Sequence, residues 1–195
     1  MTAPYRDRMR RVRDGEALPG VSATLLPGHT PDETGSLTCP DVTGGTNFWP
    51  PTFDPSTQTF FVNAREVCAT FYAWKPDYVV GERFTGGAAQ RTATLERPAV
   101  GALRAIDPAT GERKWEFKTT RPSLAGTLST GSGLVFSGDM DGNIFAVDAK
   151  TGRQIWSYQT GAAIYAAPIT YSVDGKQYVL LGSGTTLTAY ALPVQ

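Results

Sequence analysis

The alternation of bulky with small or polar positions in the second half of the chain predicts short β-strands. Leu134–Ser137 is followed by a turn sequence at Asp139–Gly142, and Asn143–Val147 again has bulky residues at alternate positions. Gln154–Tyr158 indicates one more strand. No stretch in this half has the period of an amphipathic helix. The pattern therefore predicts strands that are separated by tight turns.

One unit of this pattern occurs twice. Ala105–Trp115 and Ala146–Trp156 share alanine, aspartate, threonine, glycine and tryptophan at the same places, 41 positions apart. In the turn, the aspartate can accept backbone N–H groups and the glycine can take a positive φ. Four short strands with their turns need about 40 residues, the size of one propeller blade. We therefore predict four-stranded antiparallel blades, with Trp115 and Trp156 buried at equivalent positions.

The first half of the chain is less regular. Residues 1–38 read as an irregular N-terminal segment, and residues 39–195 as a partial propeller. Two apolar stretches flank Asp54–Gln58, a degenerate copy of the repeated turn. Residues 74–98 are polar and glycine-rich, which indicates a long insertion between blades. Together with a terminal strand at Thr186–Leu192, these units amount to three or four, whereas a closed propeller usually needs four to eight.

Composition supports an all-β chain and excludes several kinds of function. The 21 glycines, 14 prolines and 11% aromatic residues suit many turns and short strands. Because 18 basic residues balance 18 acidic ones, there is no electrostatic case for binding nucleic acid or an anionic membrane. No apolar run is long enough to predict a membrane span. Two cysteines and a single histidine, His29, argue against a zinc site or a histidine-based triad.

At the residues of the two repeats, the chain resembles the quinoprotein alcohol dehydrogenases, which depend on pyrroloquinoline quinone (PQQ). Both repeats match the tryptophan-docking motif of that family's eight-bladed β-propeller. A second resemblance covers Cys39-Pro40, then Gly44–Pro51, then Phe60–Val62 and Cys68, which look like the family's Cys-Pro, Gly-Gly-x-Asn-Trp and Cys stretch. The resemblance extends from about Cys39 to Pro193 and implies the C-terminal part of an eight-bladed quinoprotein propeller.

The resemblance implies an enzyme that oxidises an alcohol by hydride transfer to PQQ. Such enzymes are periplasmic, bind Ca²⁺ or a lanthanide ion beside PQQ, and pass electrons to acceptors such as cytochrome c. The metal ligands and the catalytic aspartate of the family lie in earlier blades. We therefore expect neither a catalytic residue nor a metal ligand in this chain, and we expect the chain alone to be inactive.

Three neighbouring residues are predicted to contact the cofactor. Asn47 matches the family asparagine that donates to the quinone oxygens, and a neutral amide can do so without adding charge beside the metal. The alternative is that Asn47 simply caps a turn after Gly44-Gly45-Thr46. Phe48 and Trp49 are predicted to line the pocket, although aromatic residues in strands more often belong to the core.

Two further alternatives stay open at the level of sequence. Cys39 and Cys68 match a family pair that brackets the Asn47 segment, which implies a disulfide, whereas a chain in a reducing compartment would keep two buried thiols. The second alternative is functional: a non-enzymatic propeller with the same repeats could serve as a protein-binding scaffold. Such scaffolds share the repeated turns and lack the Gly44–Asn47 segment with its flanking cysteines.

Overall fold

The computed structural model describes residues 35–73, 77–82, 84, 86–91 and 98–192. The regular secondary structure of these residues consists of β-strands alone. The strands are β1 (Ser36–Thr38), β2 (Thr52–Asp54), β3 (Thr59–Glu66), β4 (Ala69–Ala73), β5 (Gly87–Arg91), β6 (Val100–Ile106), β7 (Arg113–Thr119), β8 (Leu128–Ser129), β9 (Leu134–Gly138), β10 (Asn143–Asp148), β11 (Gln154–Gln159), β12 (Ile169–Val173), β13 (Lys176–Ser183) and β14 (Thr186–Ala191). The all-β prediction is confirmed. Most of the predicted N-terminal segment, residues 1–34 with His29, lies outside the described residues.

The chain divides into two compact units. One unit takes residues up to 45 and 66–98, and contains a three-stranded sheet of order β1-β4-β5. The other takes residues 46–65 and 99–195 and contains the blades. The first blade has the order β2-β3-β6-β7 and the second β8-β9-β10-β11, while the third has three described strands, β12-β13-β14.

The repeated turns form as the sequence predicts. In the second blade, Asp148 Oδ1 accepts hydrogen bonds from the backbone N–H of Lys150 and from both the N–H and the hydroxyl of Thr151. These contacts, the Thr151 hydroxyl above all, hold the pKa of Asp148 below its ordinary value. Gly152 follows with a φ of 71°, and Gly111 of the first blade has a φ of 78°. Each turn therefore depends on a carboxylate acceptor and on a glycine with positive φ.

The insertion predicted between blades lies inside the first blade, so that prediction was wrong. β3 and β6 are neighbours in one sheet, although 33 residues lie between the end of β3 at Glu66 and the start of β6 at Val100. Within the intervening segment, β4 and β5 pair with each other and not with the first blade. Local pattern could not reveal this arrangement because the pairing of β3 with β6 is a long-range contact.

The two repeated tryptophans occupy equivalent places, as predicted, but they are half-buried and not buried. Trp115 pairs with Ala105 across β6 and β7, and Trp156 pairs with Ala146 across β10 and β11. The indole N–H of Trp115 donates to the Ala149 carbonyl of the second blade at 3.0 Å. Each tryptophan stands on the edge strand of its blade, where the next blade covers only part of the ring.

Apolar clusters join successive blades. Between the first and second blades the buried cluster is Phe61, Leu103, Ala105, Val135, Phe145, Val147 and Ala149. Between the second and third blades it is Ala125, Ile144, Ile164 and Leu181, with Trp156 and Tyr190 packed against it. The core of this unit therefore lies between the blade faces, as in a propeller.

Candidate functional site

The segments that lead into the first strands of the three blades meet at Gly126. The Pro50 carbonyl, two residues before β2, accepts a hydrogen bond from the Thr127 N–H at 2.9 Å. A Cβ at Gly126 would lie 2.8 Å from the Pro50 ring and 2.6 Å from the Cβ of Ala167, just before β12. The segment that contains Asn47, Phe48 and Trp49 is thus fixed beside the corresponding segments of the next two blades.

Buried polar side chains fix this junction. Asn63 of β3 donates its amide hydrogens to the Ala125 carbonyl at 2.8 Å and to the Ser137 hydroxyl at 2.7 Å. Ser137 in turn donates to the Gly126 carbonyl at 2.9 Å. Asn63 and Ser137 are both buried, so these hydrogen bonds are protected from water. They satisfy two consecutive carbonyl groups that lead into β8.

Sequence reasoning missed Asn63 and Ser137. The available signal was a polar residue within an otherwise apolar strand: Asn63 follows Phe60-Phe61-Val62, and Ser137 follows Leu134-Val135-Phe136. A buried amide or hydroxyl in such a place must find a hydrogen-bond partner. The partner itself, a carbonyl 62 residues away, could not be predicted from local pattern.

The three residues predicted to contact the cofactor lie next to one another on the outside of this junction. Asn47 is exposed, and its side-chain oxygen accepts a hydrogen bond from the Phe48 N–H at 2.8 Å. This local contact is of the kind that the turn-capping alternative predicts. The Phe48 ring is 81% exposed and its centroid lies 4.8 Å from that of the half-buried Trp49.

A buried positive charge lies behind Trp49. The Arg65 guanidinium carbon lies 6.0 Å from the centroid of the Trp49 ring, at the outer limit of a cation–π contact. Arg65 is only 4% exposed and stands at the end of β3, two residues after Asn63. The site therefore combines an exposed amide, two aromatic rings and one cationic side chain. Arg65 was not among the predicted site residues.

The disulfide implied by the family resemblance is present. Cys39 and Cys68 are bonded, with a Cα–Cα distance of 4.3 Å, and neither is a free thiol. The bond closes a loop that contains the whole Asn47–Arg65 segment. The bond joins Cys39, eight positions before Asn47, to Cys68, three positions after Arg65.

A metal-ligand cluster and a membrane-spanning helix are both absent from the part of the chain that the structure describes. Within those residues, no three side chains from histidine, cysteine, aspartate and glutamate come together as a metal site would require. The same residues contain no helix with the length and apolarity of a membrane span.

Comparison with known proteins finds similarity between this chain and one family. Residues 117–179 match the family model described as the β-propeller domain of glucose, ethanol and alcohol dehydrogenases that use PQQ. The chain is 39% identical over 146 residues to the quinoprotein ethanol dehydrogenase of Pseudomonas aeruginosa, covering 72% of this chain and 22% of that protein. It is 37% identical over 145 residues to the quinone-dependent 1-butanol dehydrogenase of Thauera butanivorans, covering 74% of this chain and 23% of that protein.

A solved structure shows the same relationship. A europium-containing methanol dehydrogenase superposes with a TM-score of 0.72 and 31% sequence identity, covering 87% of this chain and 29% of that one. The β-propeller prediction is thereby confirmed. The chain spans about a quarter of the length of the curated relatives it matches. By sequence and by fold, this chain is similar to a part of the quinoprotein alcohol dehydrogenases.

Proposed function

We propose that this chain is the C-terminal portion of a PQQ-dependent alcohol dehydrogenase and that the chain alone is inactive. Because the relatives are about four times as long as the matched segment, the proposal places the catalytic base and the ligands of a Ca²⁺ or lanthanide ion in other parts of the propeller. PQQ, when bound, accepts the hydride that is removed from the alcohol. A cytochrome c is the proposed electron acceptor.

The observation that carries this proposal is the position of Asn47. The segment that matches the family's cofactor-contact stretch leads into the first strand of a blade, and the Pro50–Thr127 hydrogen bond holds it against the next blade. Side chains at such a junction of blades can converge on one ligand. Asn63 and Ser137 rigidify the same junction from its buried side.

The chemistry of the side chains suits PQQ, a planar aromatic quinone with three carboxylates. Asn47 offers an uncharged amide, the Phe48 and Trp49 rings offer flat apolar surface, and Arg65 places a positive charge behind Trp49. We propose that Asn47, Phe48 and Trp49 form one wall of the cofactor site.

The disulfide supports the proposed periplasmic location. Disulfides persist in oxidising compartments such as the bacterial periplasm and are rare in a reducing cytosol. The Cys39–Cys68 bond is therefore the feature of this chain that favours export.

We expect Asn47→Ala to weaken PQQ binding by about 10-fold, the loss of one or two hydrogen bonds to the cofactor. PQQ binding is measured by equilibrium dialysis. The protein is this chain co-purified with the part of the Pseudomonas aeruginosa quinoprotein ethanol dehydrogenase that lies outside the 146 matched residues. Gln154→Ala, which removes an exposed amide on β11 of the second blade, is the matched control and should leave the affinity unchanged. Equal affinities for wild type and Asn47→Ala would assign Asn47 to the turn alone, and no PQQ binding at all would favour the scaffold alternative.

A further inference from the structure

The segments that lead into the first strands of the three blades can be compared position by position. Phe48, Leu124 and Tyr165 each lie four residues before the strand that follows, which is β2, β8 or β12. Tyr165 therefore has the place in the third blade that Phe48 has in the first. We call the five residues before each of these strands the entry segments: 47–51, 123–127 and 164–168.

The entry segments of the first and third blades come close to each other because Gly126, which lies between them, has no side chain. A Cβ at Gly126 would lie 2.6 Å from the Cβ of Ala167 and 2.8 Å from the Cγ of Pro50. Those two atoms are therefore no further apart than these two distances together. Tyr165 precedes Ala167 by two residues, just as Phe48 precedes Pro50. Tyr165 thus belongs to the same junction as the wall proposed for the cofactor.

The backbone beside Tyr165 is fixed by two blades. The preceding residue, Ile164, is 0% exposed and packs in the cluster between the second and third blades. Its N–H donates to the Asp139 carbonyl at 3.1 Å, and it forms a β-bridge with Ser183 at the end of β13. Tyr165 itself is 53% exposed. Its side chain therefore starts from an ordered backbone, which lowers the entropy cost of holding a ligand.

The entry segments contain no charged side chain, and only two of their polar side chains are exposed. Their amide and hydroxyl groups belong to Asn47, Ser123, Thr127 and Tyr165. Ser123 and Thr127 are buried, and their hydroxyls donate to backbone carbonyls at 2.6 and 3.3 Å. Asn47 and Tyr165 are exposed. These two side chains are therefore the polar groups that the entry segments offer to a ligand.

We infer that Tyr165 is a further cofactor-binding residue of this chain, whose hydroxyl donates a hydrogen bond to an acceptor oxygen of PQQ. The inference rests on the proposed function. An amide and a phenol can both donate hydrogen bonds, and the quinone oxygens and carboxylates of PQQ accept them. The ring of Tyr165 also adds flat apolar surface, as the ring of Phe48 does at the equivalent position.

The test is the PQQ affinity of the same co-purified protein that is used for Asn47→Ala, measured by equilibrium dialysis. Tyr165→Phe keeps the ring and removes only the hydroxyl, so the dissociation constant should rise by about 10-fold through the loss of one hydrogen bond. Tyr158→Phe is the matched control. It makes the same change at a tyrosine 54% exposed on β11 and should leave the dissociation constant within about 2-fold.

The urea midpoint of Tyr165→Phe should equal that of wild type, because the variant removes only one exposed hydroxyl. Two results would overturn the inference and leave the proposed function standing. They are wild-type affinity in Tyr165→Phe when Asn47→Ala is weakened, and equal weakening by Tyr165→Phe and Tyr158→Phe. A wild-type protein that binds no PQQ would contradict both the proposed function and the role of Tyr165, so the wild-type measurement distinguishes the two failures.

Discussion

Gly152→Ala is expected to destabilise the propeller unit by about 3 kcal/mol, and Gly111→Ala by only about 1 kcal/mol. The two glycines are equivalent in the repeat and both have a positive φ, so each substitution incurs the same backbone strain. A Cβ at Gly152 would also lie 2.6 Å from the Trp115 ring, whereas a Cβ at Gly111 would contact nothing. The difference between the variants therefore measures the docking of Trp115 onto the second blade. Equilibrium unfolding in urea, followed by tryptophan fluorescence, provides both values.

The Trp115→Leu background provides the control for this comparison. Leucine lacks the ring that a Cβ at Gly152 would strike, so Gly152→Ala should there cost about the same as Gly111→Ala. If the two glycine variants were equally stable in the wild-type background, the tryptophan would contribute nothing through that contact. Such a result would contradict the account in which the docking of Trp115 requires a glycine at position 152.

Removal of the Cys39–Cys68 disulfide by the double substitution Cys39→Ser and Cys68→Ser should destabilise the chain by about 3 kcal/mol. The cysteines are 29 positions apart, and opening a loop of that length increases the conformational entropy of the unfolded chain. The measurement is the urea midpoint of the double variant against wild type, both without reductant.

The wild-type chain in dithiothreitol is the matched control for the disulfide prediction. Reduced wild type should unfold at the same urea concentration as the double serine variant, because both lack the same covalent link. A midpoint for the double variant equal to that of the oxidised wild type would contradict the prediction. A large difference between the reduced chain and the double variant would assign the effect to the serine substitutions.

The parts of the fold that depend on local chemistry were predictable from sequence. The Asp-x-x-Thr-Gly turns form because Asp148 and Gly152 satisfy requirements that lie within five residues of each other. The strands on either side follow from alternation of bulky residues, and the spacing of Trp115 and Trp156 fixed the blade period. The Asp54 turn, read as a degenerate copy, joins β2 to β3, and its carboxylate accepts from the Ser56 N–H and hydroxyl.

The parts that depend on distant contacts were not predictable. The first blade is assembled from two stretches of chain, and nothing near β3 indicates that β6 is its neighbour. The half-burial of Trp115 follows from its place on an edge strand, which only the sheet order reveals. The Asn63–Ser137 hydrogen bond joins residues 74 positions apart. The roles predicted for Asn47, Phe48 and Trp49 remain proposals that binding must test.

The measurement that tests the central claim most directly is alcohol-dependent dye reduction in the presence of PQQ and Ca²⁺. The chain alone should show none, and the chain assembled with the remainder of the Pseudomonas aeruginosa relative should oxidise an alcohol. Asn47→Ala should then lower the rate of the assembled protein, while Gln154→Ala should not. Robust turnover by the verified 195-residue chain alone, or an assembled protein that binds PQQ and oxidises no alcohol, would contradict the account.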